Sequence, residues 1–204
     1  MSKPLSLKSQ AINLQNLIAR VEFTDANGNL LNEEIGVKNA TNILKTSKEH
    51  STSVFMIGNG GSAAVVSHIL TDFINVAGLR ASTLHESSLI TCMANDYGYE
   101  NVFSTSLDKI AQTNDILIAV SSSGLSMNVV NGVKTMKRLG GKVLTFSGFD
   151  KDNTLRQLGD LNVWLGDHQY GRVEIGHLFI LHHLADSLGI ETTDMQSPRN
   201  TVKE

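Results

Sequence analysis

Two short stretches and two helical segments hold the side chains that could do chemistry. The first stretch is Met56-Ile57-Gly58-Asn59-Gly60-Gly61-Ser62, and the second is Val120-Ser121-Ser122-Ser123-Gly124-Leu125-Ser126. Each follows a short apolar run and precedes a helical pattern, so each reads as a strand-to-helix turn. Glycine lets the backbone take positive φ and lets a ligand approach closely. A helix start directs unpaired N–H groups and a partial positive charge outward, and an anion is the natural occupant. The second turn adds serine hydroxyls, which donate to phosphate oxygens without adding charge. Turns of this composition also occur in parallel sheets with no ligand. No Gly-Lys-Ser/Thr follows either turn, so neither is a Walker A loop, and the third spaced glycine of the dinucleotide fingerprint is missing.

The helix after the first turn carries His68 and Asp72, four apart and therefore on one face. The last helical stretch carries Glu174, His177, His182 and His183. Histidine with carboxylate binds zinc or a similar ion, or serves as acid and base. A lone histidine is more ordinarily a satisfied core or surface group, and His50, His85, His168, His177 and His183 take that reading. His68 and Asp72 stand apart because the pair lies close to an anion-binding turn.

The elements that must position these groups alternate. Helical patterns are read at 12–23 and 30–48, with polar turn material at 24–29 that either separates two helices or forms a hairpin loop between short extended pieces. Strands are expected at 53–57, 81–84, 115–120, 142–146 and 161–165. Helices are expected at 62–76, 87–95, 102–110, 126–139, 152–158 and 171–188, with a loose polar tail from Gly189. This alternation argues for an α/β fold: a three-layer α-β-α sandwich around a mostly parallel five-stranded sheet. The 204 residues suit one large domain, divided as an N-terminal helical segment (1–50) on the core or on another subunit, a core domain (51–190) and the tail (191–204).

The bulk numbers exclude several classes. A net charge of -3 without a block of like charge shows no footprint for nucleic acid. No run of about 18 apolar residues suggests a membrane span. The single cysteine, Cys92, forbids an intramolecular disulfide and is compatible with a reducing compartment. The polar N-terminus lacks a signal-peptide core, so a cytoplasmic protein is expected.

The two turns, with Ala94-Asn95-Asp96-Tyr97-Gly98-Tyr99 between them, resemble the sugar-isomerase (SIS) domain, and more narrowly the phosphoheptose isomerase group, from about residue 55 to 188. The resemblance implies the SIS fold and isomerisation of sedoheptulose 7-phosphate to an aldoheptose 7-phosphate. It implies a phosphorylated sugar as ligand, a homotetramer with sites between subunits, and no nucleotide cofactor. It implies that Ser121, Ser122, Ser123 and Ser126 grip the phosphate, and that Asn59, Gly60, Gly61, Ser62, Asn95 and Asp96 hold the sugar or the loop. It also implies a divalent metal, Zn2+ by the group's habit, held by His68, Asp72, Glu174 and His182. Asp72 and His182 are the implied proton-transfer residues, with His183 the neighbouring alternative.

Four positions depart from the group's pattern. Asp72 stands where the group has glutamate, and Glu174 where it has glutamine. Gly171 replaces an acidic residue and Val76 an arginine. These departures keep a non-catalytic SIS-domain binding or regulatory protein as an alternative. An isomerase of another phosphosugar and a sugar-phosphate sensor are two more. Retention of metal-capable side chains at all four quartet positions favours the enzyme.

Overall fold

The computed structural model describes residues 6–193, with side chains through residue 190. Helix α1 (Leu7–Ile18) is followed by β1 (Glu22–Asp25), β2 (Leu30–Leu31) and α2 (Glu33–His50). Then come β3 (Ser53–Gly58), α3 (Gly60–Asn75), β4 (Arg80–Thr83), α4 (Ser87–Tyr97) and α5 (Val102–Ile110). The last elements are β5 (Ile116–Ser121), α6 (Met127–Arg138), β6 (Lys142–Gly148), β7 (Leu161–Leu165) and α7 (Tyr170–Thr193).

One seven-stranded sheet runs β2-β1-β7-β6-β5-β3-β4. The five expected strands are parallel to one another, and the two additional ones are an antiparallel hairpin added beside β7. The helical pattern expected over 12–23 therefore ends early. Phe23 is buried in the core instead, and a side chain on Gly36 of α2 would collide with its ring. Pairing of Phe23 with Val163 and of Thr24 with Asn162 overrides the local helical spacing. The turn at 25–29 has its own chemistry. Asp25 accepts hydrogen bonds from the backbone N–H groups of Asn27 and Asn29, both at 2.9 Å, and Gly28 supplies a φ of 80°. Asn32 then caps α2, its side-chain oxygen accepting from Ile35 N–H at 2.8 Å.

Alternate residues of each central strand enter different cores. Val54 and Met56 of β3, with Ile116, Ile118 and Val120 of β5, pack against α2, α3 and α7. Phe55, Ile57, Leu117 and Ala119 pack against α5 and α6. The sheet is thus covered on both faces, which explains strands that read as nearly continuous apolar runs. The N-terminal helices belong to the first layer, where Leu17, Ala40 and Leu44 are buried. Two local expectations change. The segment at 152–158 contains a single 3-10 turn, Leu155–Gln157, and α7 continues through Gly189 to Thr193. Gly189 permits this continuation beside Val76, where a methyl group would not fit. The remainder of the expected tail, with Pro198, lies outside the described residues.

The connections leave β3 in one direction toward β4, and β5 in the other toward β6 and β7. Between β3 and β5 the strand order reverses, and crevices at such reversals, beyond the carboxyl ends of the strands, are where parallel sheets bind ligands. Gly58 pairs with Val120 there, so the two turns emerge side by side.

Candidate active site

A cavity of about 270 Å³ opens at this reversal, lined by both turns together with Tyr170 and Glu174. Asn59, Gly60, Gly61, Ser62, Ser121, Ser122, Ser123 and Ser126 all line it. Helix α3 starts at Gly60 and α6 at Met127, and among the described residues neither first turn has a side-chain cap. Apart from Val129 N–H, which donates to Asn128 Oδ1 at 3.0 Å, their first amides are left for a ligand. Within the second turn, Gly124 N–H donates to Ser121 C=O at 3.0 Å with a φ of 66° at Gly124, and the Ser121 hydroxyl lies 3.1 Å from that of Ser126. The Ser122 hydroxyl is buried without a hydrogen-bond partner among the described residues. A buried donor left unmade is costly.

The first turn is shaped by its neighbours. A side chain on Gly61 would overlap the Glu174 carboxylate, so glycine is what lets α7 bring that acid to the cavity wall. Burial pushes the Glu174 carboxyl above its ordinary value. His85, set aside in the sequence as an ordinary histidine, stands against this turn: Nε2 lies 3.0 Å from Gly58 C=O, and the ring meets Phe103 edge-on. Burial holds its pKa down, opposed by the bond to Gly58.

The expected metal quartet divides. His182 Nδ1 lies 2.8 Å from Asp72 Oδ2, and the His68 ring meets the His182 ring edge-on with centroids 5.3 Å apart. His183 is exposed on the next face of α7, so His182 is the histidine paired with Asp72. Glu174, eight residues earlier on α7, stands about 12 Å away along the helix, over Gly61. Among the described residues no three His, Cys, Asp or Glu side chains are placed to hold a metal ion. As arranged in one chain, the four do not fit the expected ion, and no step below is routed through it.

Asn95 and Asp96 are exposed on α4 and do not line the cavity. Asn95 donates to Asp96 at 2.8 Å instead, because Ile90, Met93 and Ala94 turn the other side of α4 to the core. From the same motif Tyr99 reaches the site, its hydroxyl 3.2 Å from Asn59 Oδ1. Spacing did not point to Tyr99, Asn128 or Tyr170, since their partners lie far away in the chain.

His177 takes the ordinary role expected of it. It is fully buried, its Nε2 lies 3.0 Å from Ser147 C=O, and burial lowers its pKa from 6.5 to about 4, opposed by that bond. A histidine held neutral in the fold adds stability above the unfolded pKa and loses it as pH falls toward the folded one. Thermal midpoints are therefore expected to descend between pH 6.5 and about 4, by the equivalent of roughly 3 kcal/mol. His177→Gln, which keeps a donor for Ser147, is expected to flatten that descent in a series of melts.

The SIS domain family matches residues 28–148. The phosphoheptose isomerase of Campylobacter concisus (strain 13826) is 31% identical over 163 residues, which cover 76% of this chain and 82% of that protein. That of Helicobacter pylori (strain HPAG1) is 33% identical over 146 residues, 69% of this chain and 76% of the relative. In fold, the structure of a phosphoheptose isomerase from Neisseria gonorrhoeae superposes with a TM-score of 0.76 at 23% identity, covering 89% of this chain and 94% of that one. The family match spans both cavity turns and the sheet reversal between them. The chain belongs to the SIS-domain family, within its phosphoheptose isomerase group.

Proposed function

We propose that this protein interconverts sedoheptulose 7-phosphate and D-glycero-D-manno-heptose 7-phosphate through an enediol. One observation carries the reading: α3 starts at the glycine turn of the cavity and carries Asp72, paired with His182 of α7 at 2.8 Å, further along its length. From Gly61, His68 is about 10 Å and Asp72 about 16 Å along α3. An extended seven-carbon chain with its phosphoester spans on the order of 10 Å, with C–C bonds of about 1.5 Å. Such a chain, anchored by its phosphate at the turns, extends to the level of His68, one helical turn before Asp72, whereas a three-carbon phosphate falls short of both.

Isomerisation moves a proton between adjacent carbons and returns one to oxygen. Asp72 and His182, joined at 2.8 Å, form the acid/base pair. The carboxylate fixes the imidazole with Nδ1–H toward it and leaves Nε2 for the substrate. The remote phosphate supplies binding energy that orients the reacting carbons. A homotetramer is the proposed assembly, supported by Ile175 and Phe179, which stand exposed on α7, and by Ile74 on α3. Among the described residues no helix is long and apolar enough to cross a membrane, which accords with the proposed cytoplasmic setting.

The purified protein is expected to turn over sedoheptulose 7-phosphate at roughly 1 s⁻¹ or faster, measured by chromatographic separation of the two heptose phosphates. Binding of the sugar phosphate without turnover would replace this reading with the non-catalytic one.

A further inference from the structure

The Asn59 side chain stands at the N-cap position of α3 yet makes no cap bond there among the described residues. It crosses instead to α6. Asn59 Nδ2 donates to Asn128 Oδ1 at 2.8 Å, and Asn128 Nδ2 donates back to Asn59 Oδ1 at 2.9 Å. Asn128 Oδ1 also accepts from Val129 N–H at 3.0 Å, which fixes the orientation of that amide and hence of its partner. The Tyr99 hydroxyl donates to Asn59 Oδ1 at 3.2 Å, so both lone pairs of that oxygen are used. Asn128 is only 2% exposed, so its side of the link is shielded from competing water.

The place of this link matters. The β3–β5 ladder holds the two strands together only as far as Gly58 and Val120. Beyond it, one turn enters α3 and the other enters α6. We infer that Asn128 and Tyr99 are positioning residues that, through Asn59, set the gap between the glycine turn and the serine turn and thereby the fit of a phosphorylated sugar. This inference rests on the phosphosugar reading of the site. It also gives the 94–99 motif a role within one chain, delivered by Tyr99 and not by Asn95 or Asp96.

The test compares Asn128→Ala, Asn128→Asp and Tyr99→Phe by titration calorimetry with sedoheptulose 7-phosphate and with inorganic phosphate, and by kinetics. Asn128→Asp keeps the volume and the acceptor for Val129 but replaces the donor to Asn59 with a charged oxygen, so Asn128→Ala carries the comparison of the two ligands and Asn128→Asp guards against simple misfolding. Both Asn128 variants are expected to raise Kd and KM for the sugar phosphate about tenfold or more, the loss of a buried hydrogen bond. Inorganic phosphate, which needs the serine turn alone, is expected to stay within threefold, and Tyr99→Phe to weaken sugar binding about threefold. The double variant Asn59→Ala/Asn128→Ala is expected within twofold of the worse single variant, because either change breaks the same link. Equal losses for both ligands, unchanged sugar affinity, or multiplying effects in the double variant would overturn the inference. Wild-type binding without turnover removes the reaction but leaves this comparison intact, and wild-type binding of neither ligand overturns both.

Discussion

Asp72→Ala is expected to lower kcat on a phosphoheptose by roughly 10²–10⁴-fold while leaving inorganic phosphate binding within about twofold. The argument is geometric. The carboxylate lies 2.8 Å from His182 Nδ1 and about a third of it is exposed, so its removal takes away the orienting partner without opening the core. The serine turn lies at the other end of α3, on β5 and α6, and owes nothing to Asp72. A fold-wide lesion would weaken phosphate and lower the melting temperature together, whereas a catalytic one splits them. Kinetics beside calorimetric phosphate titration reads that split. Turnover that survives the substitution would end the assignment of Asp72.

Gly124→Ala is expected to be the more damaging change to the molecule as a whole. Gly124 has a φ of 66°, and an added methyl group would overlap the Asn153 side chain. Asn153 cannot simply move aside. It is buried, donates to Ser147 Oγ at 3.2 Å, Gly148 C=O at 3.1 Å and Asp150 C=O at 2.8 Å, and accepts from Arg156 N–H at 3.0 Å. Left-handed strain costs about 1–2 kcal/mol, and displacing a buried polar group about 1–3 kcal/mol. Together they lower the melting temperature by roughly 5–15 °C for a chain of this size, with loss of phosphate binding as the serine turn shifts. Gly28→Ala serves as the comparison. Its φ is 80°, but nothing lies within 4 Å of the added carbon, so only the strain is expected. Equal melting temperatures for the two variants would show that the contact with Asn153 carries no weight.

Much of this could be read from the chain because its causes are local. Val54, Met56 and their neighbours are apolar without alternation, as strands covered on both faces require. Gly58, Gly60 and Gly124 mark turns that other residues would strain or block. His68 and Asp72 share a face because of the helical repeat alone. The hairpin at 22–31 was less legible, since its turn chemistry was visible but its strands depend on β7, about 130 residues away. The apolar spacing around Phe23 suits a helix as well as a buried strand.

The sequence by itself determined the five parallel strands, the order of the motifs and the two strand-to-helix turns that line the cavity, because glycine conformation, serine hydroxyls and hydrophobic periodicity act over a few residues. Tertiary structure alone decided which of those groups meet. It placed the turns together at the reversal between β3 and β5, chose His182 over His183 by the rotation of α7, and set Glu174 at the cavity wall, apart from Asp72 and His182. It also turned Asn95 and Asp96 away while bringing Tyr99 and Asn128 to Asn59. These outcomes depend on how helices lie on a common sheet, and side chains far apart in sequence acquire distances only when that packing is complete.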